Sequence, residues 1–446
     1  MTILEALSSP EIWEAFFQYK SGLISSKGEL DALRAFIDRR AYLPVCERIR
    51  SGAPMSLPRR VVISKLYSAK KRVVYVYPEP ENTVYKLLTW LLLRRYDGLF
   101  SPGLYSFRPG RTAKDAVRRL LAIPGIREMY AYKVDVSNYF NSIDLTRFLP
   151  LLEEVLTEDP ALCAFLCSLL SEPRVLEGAQ TLTEQKGIMA GTPQSSFYAN
   201  LFLRDVDAAF HAGGIPYARY SDDVILFAPT EEALRARSEE LRSHLAAKGL
   251  TVNPSKEVYY VPEEGWTFLG FRCAGGSIDI APATLDKLKA KMRRKTRALS
   301  RWRDRTDHSG EQAARAFIRI FNRKLLEAPS DSELSWSHWF FPVINTADSL
   351  QVIDRYAQDC LRTLVSGTRT KARFNVRYED LKALGYQSLV HAYYDHKKAE
   401  KNAEAPAAAA ETGADTGAKA GAEAGCVPST AADTGSAAGA KAGAEE

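Results

Sequence analysis

Asp135, Asp222 and Asp223 are the residues of this 446-residue chain whose type and setting speak most directly of chemistry. Asp135 closes an apolar run, AYKVDV, and the acidic pair follows Tyr220-Ser221 between two short apolar runs, where a tight hairpin turn would carry it. If these two elements lie side by side, three carboxylates meet at one end of a sheet. Carboxylate oxygens suit magnesium, and two ions about 3.5 to 4 Å apart can stabilise both the attacking and the leaving oxygens of an in-line phosphoryl transfer. Taken singly these signals are weak, because an acidic turn is usually just solvated. Their order, spacing and flanks together give them weight.

The elements that must position these carboxylates can be traced by period. Residues 11 to 50 read as amphipathic helices, with Leu30, Leu33 and Phe36 at helical spacing. Val61 to Ile63, the polar turn Ser68 to Lys71 and Val73 to Val76 read as a hairpin, followed by a buried helix from Thr83 to Tyr96. A strand is expected over 130 to 136, with Asp144 capping the next helix. One helix from about 195 to 211 precedes strands at 217 to 221 and 224 to 228; a helix over 231 to 248 leads to strand pairs near 258 to 261 and 267 to 272. From 282 to 400 the pattern is mainly helical. In its first helix, Leu285, Leu288, Met292, Leu299 and Trp302 keep one apolar stripe, while ten of residues 285 to 305 are Lys or Arg. Arg293, Arg294 and Arg297 on that helix either track phosphates of a primer and template or form a solvated basic face.

The formal charge of +6 understates the basic character of the body. Residues 403 to 446 hold seven acidic and two basic side chains, which leaves +11 for residues 1 to 402. A basic body suits a polyanionic partner without proving one. The six cysteines are scattered and lack the spacing of a zinc site, and so few in so long a chain fit a reducing compartment such as the cytoplasm. Met1 to Phe17 lacks a basic leader region, and the longest apolar run, Leu87 to Leu93, is too short to span a bilayer, so neither export nor a membrane partner is expected. Beyond Asn402 the chain is mostly Ala, Gly, Glu and Thr with almost no large apolar residue, and ADTG and AKAGAE each occur twice. Such a segment buries too little to offset its ordering entropy and is expected to be disordered.

YKVDVSNYFNSID (132 to 144) and YSDD (220 to 223), with LYSFRPGRTAKDAV (104 to 117), GLTVNPSK (249 to 256) and TFLGF (267 to 271), resemble the motifs of bacterial reverse transcriptases related to group II intron and retron enzymes. The resemblance implies an α+β right-hand polymerase fold: an N-terminal helical extension (1–59), fingers and an antiparallel palm (60–280), a helical thumb (281–402) and the disordered tail (403–446). It implies that Asp135 and Asp222 bind two Mg²⁺ ions, with Mn²⁺ as a substitute, that Asp223 assists, and that the Val136 carbonyl completes a coordination shell. Arg72 matches a cation that contacts the incoming triphosphate, and Lys65 either helps or is surface. Lys256 matches a lysine that protonates the pyrophosphate leaving group; an exposed loop lysine is the plain alternative. Tyr220, Arg108 and Arg111 fall on the primer and template side, although the two arginines could instead brace their loop. Phe140 matches the ring that lies beneath the nucleotide sugar and leaves no room for a 2′-hydroxyl, or else is simple core.

The segment GIMAGTPQSSFYAN (187 to 200) departs from the family. Counting back from Ala199-Asn200 places Met189-Ala190-Gly191 on the family's Pro-Gln-Gly, so Ala190 and Gly191 line the nucleotide site and Ala190 replaces the usual glutamine. Gln194 remains able to swing toward the site. With YEDLKALGYQSLVHAYYDHKK (378 to 398), this departure is most similar to defence-associated, anti-phage reverse transcriptases that use a partner noncoding RNA. The implied partners are that RNA template, deoxynucleoside triphosphates and the DNA product, with a second copy or an accessory protein also open. An intron maturase, a retron enzyme and a catalytically idle RNA-binding relic are the competing readings.

Overall fold

The computed structural model describes residues 1–23, 27–64, 71–327 and 336–411, and the chain falls into two units that divide after Glu264. In the first unit, Ser9 caps a helix that begins on Pro10, whose missing N–H costs nothing at that position. The N-terminal helices are α1 (Ile3–Ala6), α2 (Pro10–Ser21), α3 (Lys27–Asp38) and α4 (Leu43–Arg50). The ring of Trp13 stacks on Tyr42 at 4.8 Å, and Phe16 packs edge-on against Trp90 at 5.8 Å. These contacts seat the extension on the apolar helix that follows the first hairpin. That hairpin is β1 (Arg59–Ser64) with β2 (Lys71–Val76), and the helix is α5 (Glu81–Arg95).

The chain continues through α6 (Ala113–Leu121), β3 (Tyr130–Asp135), α7 (Tyr139–Ser142), α8 (Leu145–Val155), α9 (Pro160–Ser171), β4 (Arg174–Glu177) and β5 (Gln180–Thr183). Asp144 caps α8 as expected, accepting from Thr146 N at 2.9 Å. The β4–β5 hairpin was not expected; β4 runs parallel beside β1, giving the order β2-β1-β4-β5. The helix expected over 195 to 211 is interrupted at Leu203, forming α10 (Ser195–Phe202) and α11 (Arg204–Ala212). Then come β6 (Tyr217–Tyr220), β7 (Asp223–Ala228), α12 (Glu231–Ala247) and β8 (Val258–Tyr260). The second sheet is antiparallel throughout, in the order β6-β7-β3-β8. Its central strands are buried along nearly their whole length, and α12 covers them with Leu234, Leu241 and Leu245. Apolar strands flanked on both sides must lie inside a sheet.

The second unit opens with a three-stranded sheet, β9 (Trp266–Phe268), β10 (Phe271–Ala274) and β11 (Ser277–Ile280). Helices α13 (Pro282–Thr306), α14 (Gly310–Leu325), α15 (Trp336–Phe340), α16 (Asp348–Ser366), α17 (Tyr378–Ala383) and α18 (Leu389–Glu411) follow. On α13, Met292, Thr296 and Leu299 are buried while most of its basic residues are exposed. Asp354 of α16 is 5% exposed and caps α18 from a distance: it accepts from Leu389 N (3.0 Å), Val390 N (3.1 Å), Tyr386 Oη (2.8 Å) and Ser388 Oγ (2.6 Å). α18 continues past Asn402 to Glu411; the rest of the segment expected to be disordered, 412 to 446, lies outside the described residues. Among the described residues no helix is long and apolar enough to cross a membrane.

Replacing Asp354 by Ala removes four bonds to a buried carboxylate and uncaps α18. The second unit should lose roughly 2 to 4 kcal/mol, read as a lower denaturation midpoint and faster amide exchange over residues 386 to 395. Unchanged exchange there would show that α18 does not depend on this cap.

Candidate functional site: a carboxylate cluster at the end of the central sheet

Strand register alone places the acidic residues together. Asp135 pairs with Asp223 across β3 and β7, and Tyr220 pairs with Asp223 across the hairpin, so Ser221-Asp222 forms the turn. Val136 N donates to Asp222 O at 2.9 Å, which ties the turn to the end of β3. On the other side, Asn253 N donates to Asp135 O (2.8 Å) and Ser137 N to Thr251 O (2.8 Å). The Asp222 carboxyl is pushed up to about 6 by burial and by the neighbouring Asp135 and Asp223 charges. Lys256 Nζ donates to Asp135 Oδ2 at 2.5 Å. Burial works against the Lys256 charge, but the bond to Asp135 and the three carboxylates outweigh it and hold its pKa above the usual value. A second cation, missed in the sequence, is Lys133, whose Nζ lies 3.9 Å from Asp223 Oδ1.

Among the described residues no three His, Cys, Asp or Glu side chains converge closely enough to hold a metal ion as they stand. The donor set nevertheless fits a hard divalent cation. It consists of carboxylate oxygens whose mutual repulsion already raises Asp222, and such a cation would relieve that repulsion.

Residues 69–273 match the family described as reverse transcriptase (RNA-dependent DNA polymerase). The chain contains a reverse transcriptase domain. The fold is accordingly the α+β right-hand class of RNA-directed DNA polymerases, which are nucleotidyltransferases. No curated protein matches the chain. Similar solved structures include three of telomerase from Candida tropicalis. Apo telomerase truncated from its C-terminal domain is 12% identical, with 50% of this chain and 55% of that one covered and a TM-score of 0.41. Telomerase in complex with a TWJ fragment of telomeric RNA is 10% identical (74% and 64% covered, TM-score 0.42), and apo telomerase is 12% identical (74% and 69%, TM-score 0.43). The chain thus spans between about half and two thirds of the length of those telomerase chains.

In the reverse transcriptase domain, the acidic turn rests on a buried polar network that the sequence reading missed. Asp207 and Arg219 side chains are fully buried and bonded by both oxygens, at 2.7 Å (Nε) and 2.6 Å (Nη2). Arg219 Nη1 also donates to Ser221 O at 3.2 Å, and Tyr217 Oη donates to Asp207 at 2.8 Å. From the other side Ser106 Oγ accepts from Ser221 N at 2.8 Å and itself donates to Asn200 Oδ1 at 3.2 Å. Ser221 has a left-handed backbone, φ 60°, which a non-glycine residue holds only under such constraint. One signal was available: Arg219 stands inside a short apolar strand, where a charge demands a buried partner.

Of the nucleotide-side candidates, Phe140 lies on α7 and Ala190 is bonded to it. Residues 187 to 191 thread between α7 and β2: Ala190 N donates to Asn141 Oδ1 (3.3 Å), and Ala190 O accepts from Tyr75 N (2.8 Å). Gly187 (φ 52°) lies so close to α7 that a Cβ would stand 2.5 Å from Phe140 O, and a Cβ on Gly191 (φ 99°) would meet Val74 Cβ at 2.9 Å. Phe140 is half-buried, its ring 5.7 Å from that of Tyr139. Arg72 is exposed on β2, three residues before Tyr75. Lys65 lies outside the described residues. Gln194 is buried at the start of α10, with its Nε2 unpartnered.

Of the two readings open for Arg108, its contacts favour the bracing one. Rather than presenting a fork to primer or template, it is 5% exposed and bonds Asp97 through Nε (2.7 Å) and Nη2 (3.0 Å) and the Ser101 carbonyl through Nη1 (2.7 Å). Its donors are committed to bracing the loop. Arg111 is half-buried and donates to Pro102 O at 2.9 Å, and burial lowers its pKa. Tyr220 is half-buried, its phenol pushed up to about 12 by burial. Arg293, Arg294 and Arg297 are exposed on α13 of the second unit.

Asp207→Asn leaves the Arg219 charge buried without its counter-charge and should cost about 3 to 5 kcal/mol, together with a fall in kcat as the Asp222 turn loosens. Denaturant unfolding checks the first part. Adding Arg219→Gln to that variant should recover part of the loss, and a double variant less stable than the single one would refute the account.

Proposed function

We propose that this chain synthesises DNA on an RNA template, using a dedicated noncoding RNA in bacterial anti-phage defence. The observation that carries the polymerase reading is the register that brings Asp135, Asp222 and Asp223 to one end of the central sheet. The narrower role is supported by Ala190, which stands where relatives resembling this chain keep glutamine, and by the likeness of residues 378 to 398 to defence-associated enzymes.

Asp135 and Asp222 would hold two magnesium ions, with Asp223 and the Val136 carbonyl beside them; the ions, when bound, polarise the primer hydroxyl and offset the charge on the departing pyrophosphate. The protein's own groups do the remainder. Lys256, held protonated beside Asp135, balances the carboxylates and carries a proton for the pyrophosphate oxygen. Arg72 offers a planar fork to the triphosphate tail. Ala190 holds the floor of the site through its backbone, since both its N–H and its carbonyl are engaged and its methyl makes no polar contact. Phe140, five residues beyond Asp135, fills the space a ribose 2′-hydroxyl would need.

Purifying the protein with its bound nucleic acid, supplying magnesium and deoxynucleotides, and sequencing template and product tests the whole reading. A single recurrent RNA template with a complementary DNA product is the expected result; random templates would remove the dedicated RNA. Phe140→Ala should weaken rejection of ribonucleotides by about tenfold or more, measured as the ratio of kcat/KM for dATP and ATP. Equal ratios in the two proteins would dismiss Phe140 as a steric gate.

A further inference from the structure

Four arginines of the second unit line one groove: Arg293 and Arg297 on α13, Arg369 just after α16, and Arg373 in the short helical turn Lys371–Asn375. Asp359 is the only carboxylate among the described residues that line it, and its Oδ1 faces Arg362 at 3.8 Å. Guanidinium groups that share a groove repel one another, and a polyanion supplies the charge they lack. Their forks match phosphate oxygens. The groove is a shaped surface, since Arg293 Nε donates to Tyr356 Oη at 3.2 Å and Arg373 Nη1 to Arg369 O at 2.7 Å.

An independent observation indicates what kind of polyanion fits. Phe374, next to Arg373 in the same turn, is 48% exposed. Its ring is flanked by cations, with Arg373 Cζ 4.4 Å and Arg362 Cζ 5.8 Å from the centroid. A ring held open on a basic surface is a platform for stacking. Bases in a duplex already stack on each other and offer such a ring nothing, whereas an unpaired base offers its face.

We infer that the groove and Phe374 bind a single-stranded stretch of nucleic acid, the arginines taking successive phosphates and the ring stacking on an unpaired base. The inference rests on the proposed RNA-templated DNA synthesis and takes the phosphate-tracking reading of α13 over the solvated one; it adds the ligand's strandedness and the 369 to 374 segment. Because the contacts lie on the backbone and on one base face, RNA and DNA single strands share the chemistry.

Fluorescence anisotropy with the full-length chain tests this, using labelled 12-nucleotide RNA, DNA of the same sequence and the RNA–DNA duplex, each across a salt series. Phe374→Ala should weaken binding of the single strands about tenfold and leave the duplex unchanged, and Phe374→Trp should restore binding. Arg369→Gln with Arg373→Gln should flatten the salt slope by about 0.7 for each phosphate no longer neutralised. Tighter binding of RNA than of DNA, or the reverse, identifies the natural strand, and either order supports the site. Duplex affinity kept by wild type while Phe374→Ala leaves single-strand affinity unchanged would overturn this inference but leave α13 as a nucleic-acid surface. Wild-type failure on all three probes would overturn both. Circular dichroism of each variant ensures that a loss is not unfolding.

Discussion

Three carboxylates held at one end of a sheet repel one another, and the rest of the first unit can be understood as the means of keeping them there. Repulsion and burial together raise Asp222, so the turn that carries it would relax outward unless anchored. The anchors are buried polar side chains. Arg219 holds the Ser221 carbonyl and is itself neutralised by Asp207, while Ser106 accepts from the Ser221 N–H. Lys256 offsets part of the charge. A buried ion pair is rarely a gain over apolar packing; here it fixes the shape of a strained turn, which apolar side chains cannot do.

The nucleotide side follows a different rule, that of backbone in close approach. Gly187 and Gly191 lack Cβ atoms where α7 and β2 leave no room for them, and Ala190 between them gives its peptide group to both neighbours. A glutamine at position 190 would bring a polar side chain to this floor. On the proposed reading, a methyl there would leave nucleotide recognition to Arg72 and Phe140, with Gln194 keeping an unpartnered amide nitrogen.

Much of this was legible in the sequence, and the reason is local periodicity. The apolar runs beside Asp135 and the YSDD turn implied strands that bring acid to one end, and the Asp144 cap is a short-range signal. What escaped notice depends on distance in the chain. Asp207 and Arg219, or Asp354 and residues 386 to 390, become partners only once the helices and strands between them fold, and no periodic pattern announces such a pair. For Arg108 the residue type allowed either a phosphate contact or a brace for its loop, and only the burial against Asp97 favours the brace. The polar β4–β5 hairpin lacks the apolar alternation that marks a strand, and it pairs through its backbone to β1.

The central claim is that the carboxylates at the end of the sheet run the chemistry. The most direct measurement is incorporation of labelled deoxynucleotides on a primed RNA template with magnesium, by wild type and by Asp222→Asn. The account requires wild-type incorporation and a fall of about a thousandfold in the variant, several kcal/mol of lost transition-state stabilisation, with the fold intact by circular dichroism. Incorporation by Asp222→Asn at the wild-type rate would contradict it.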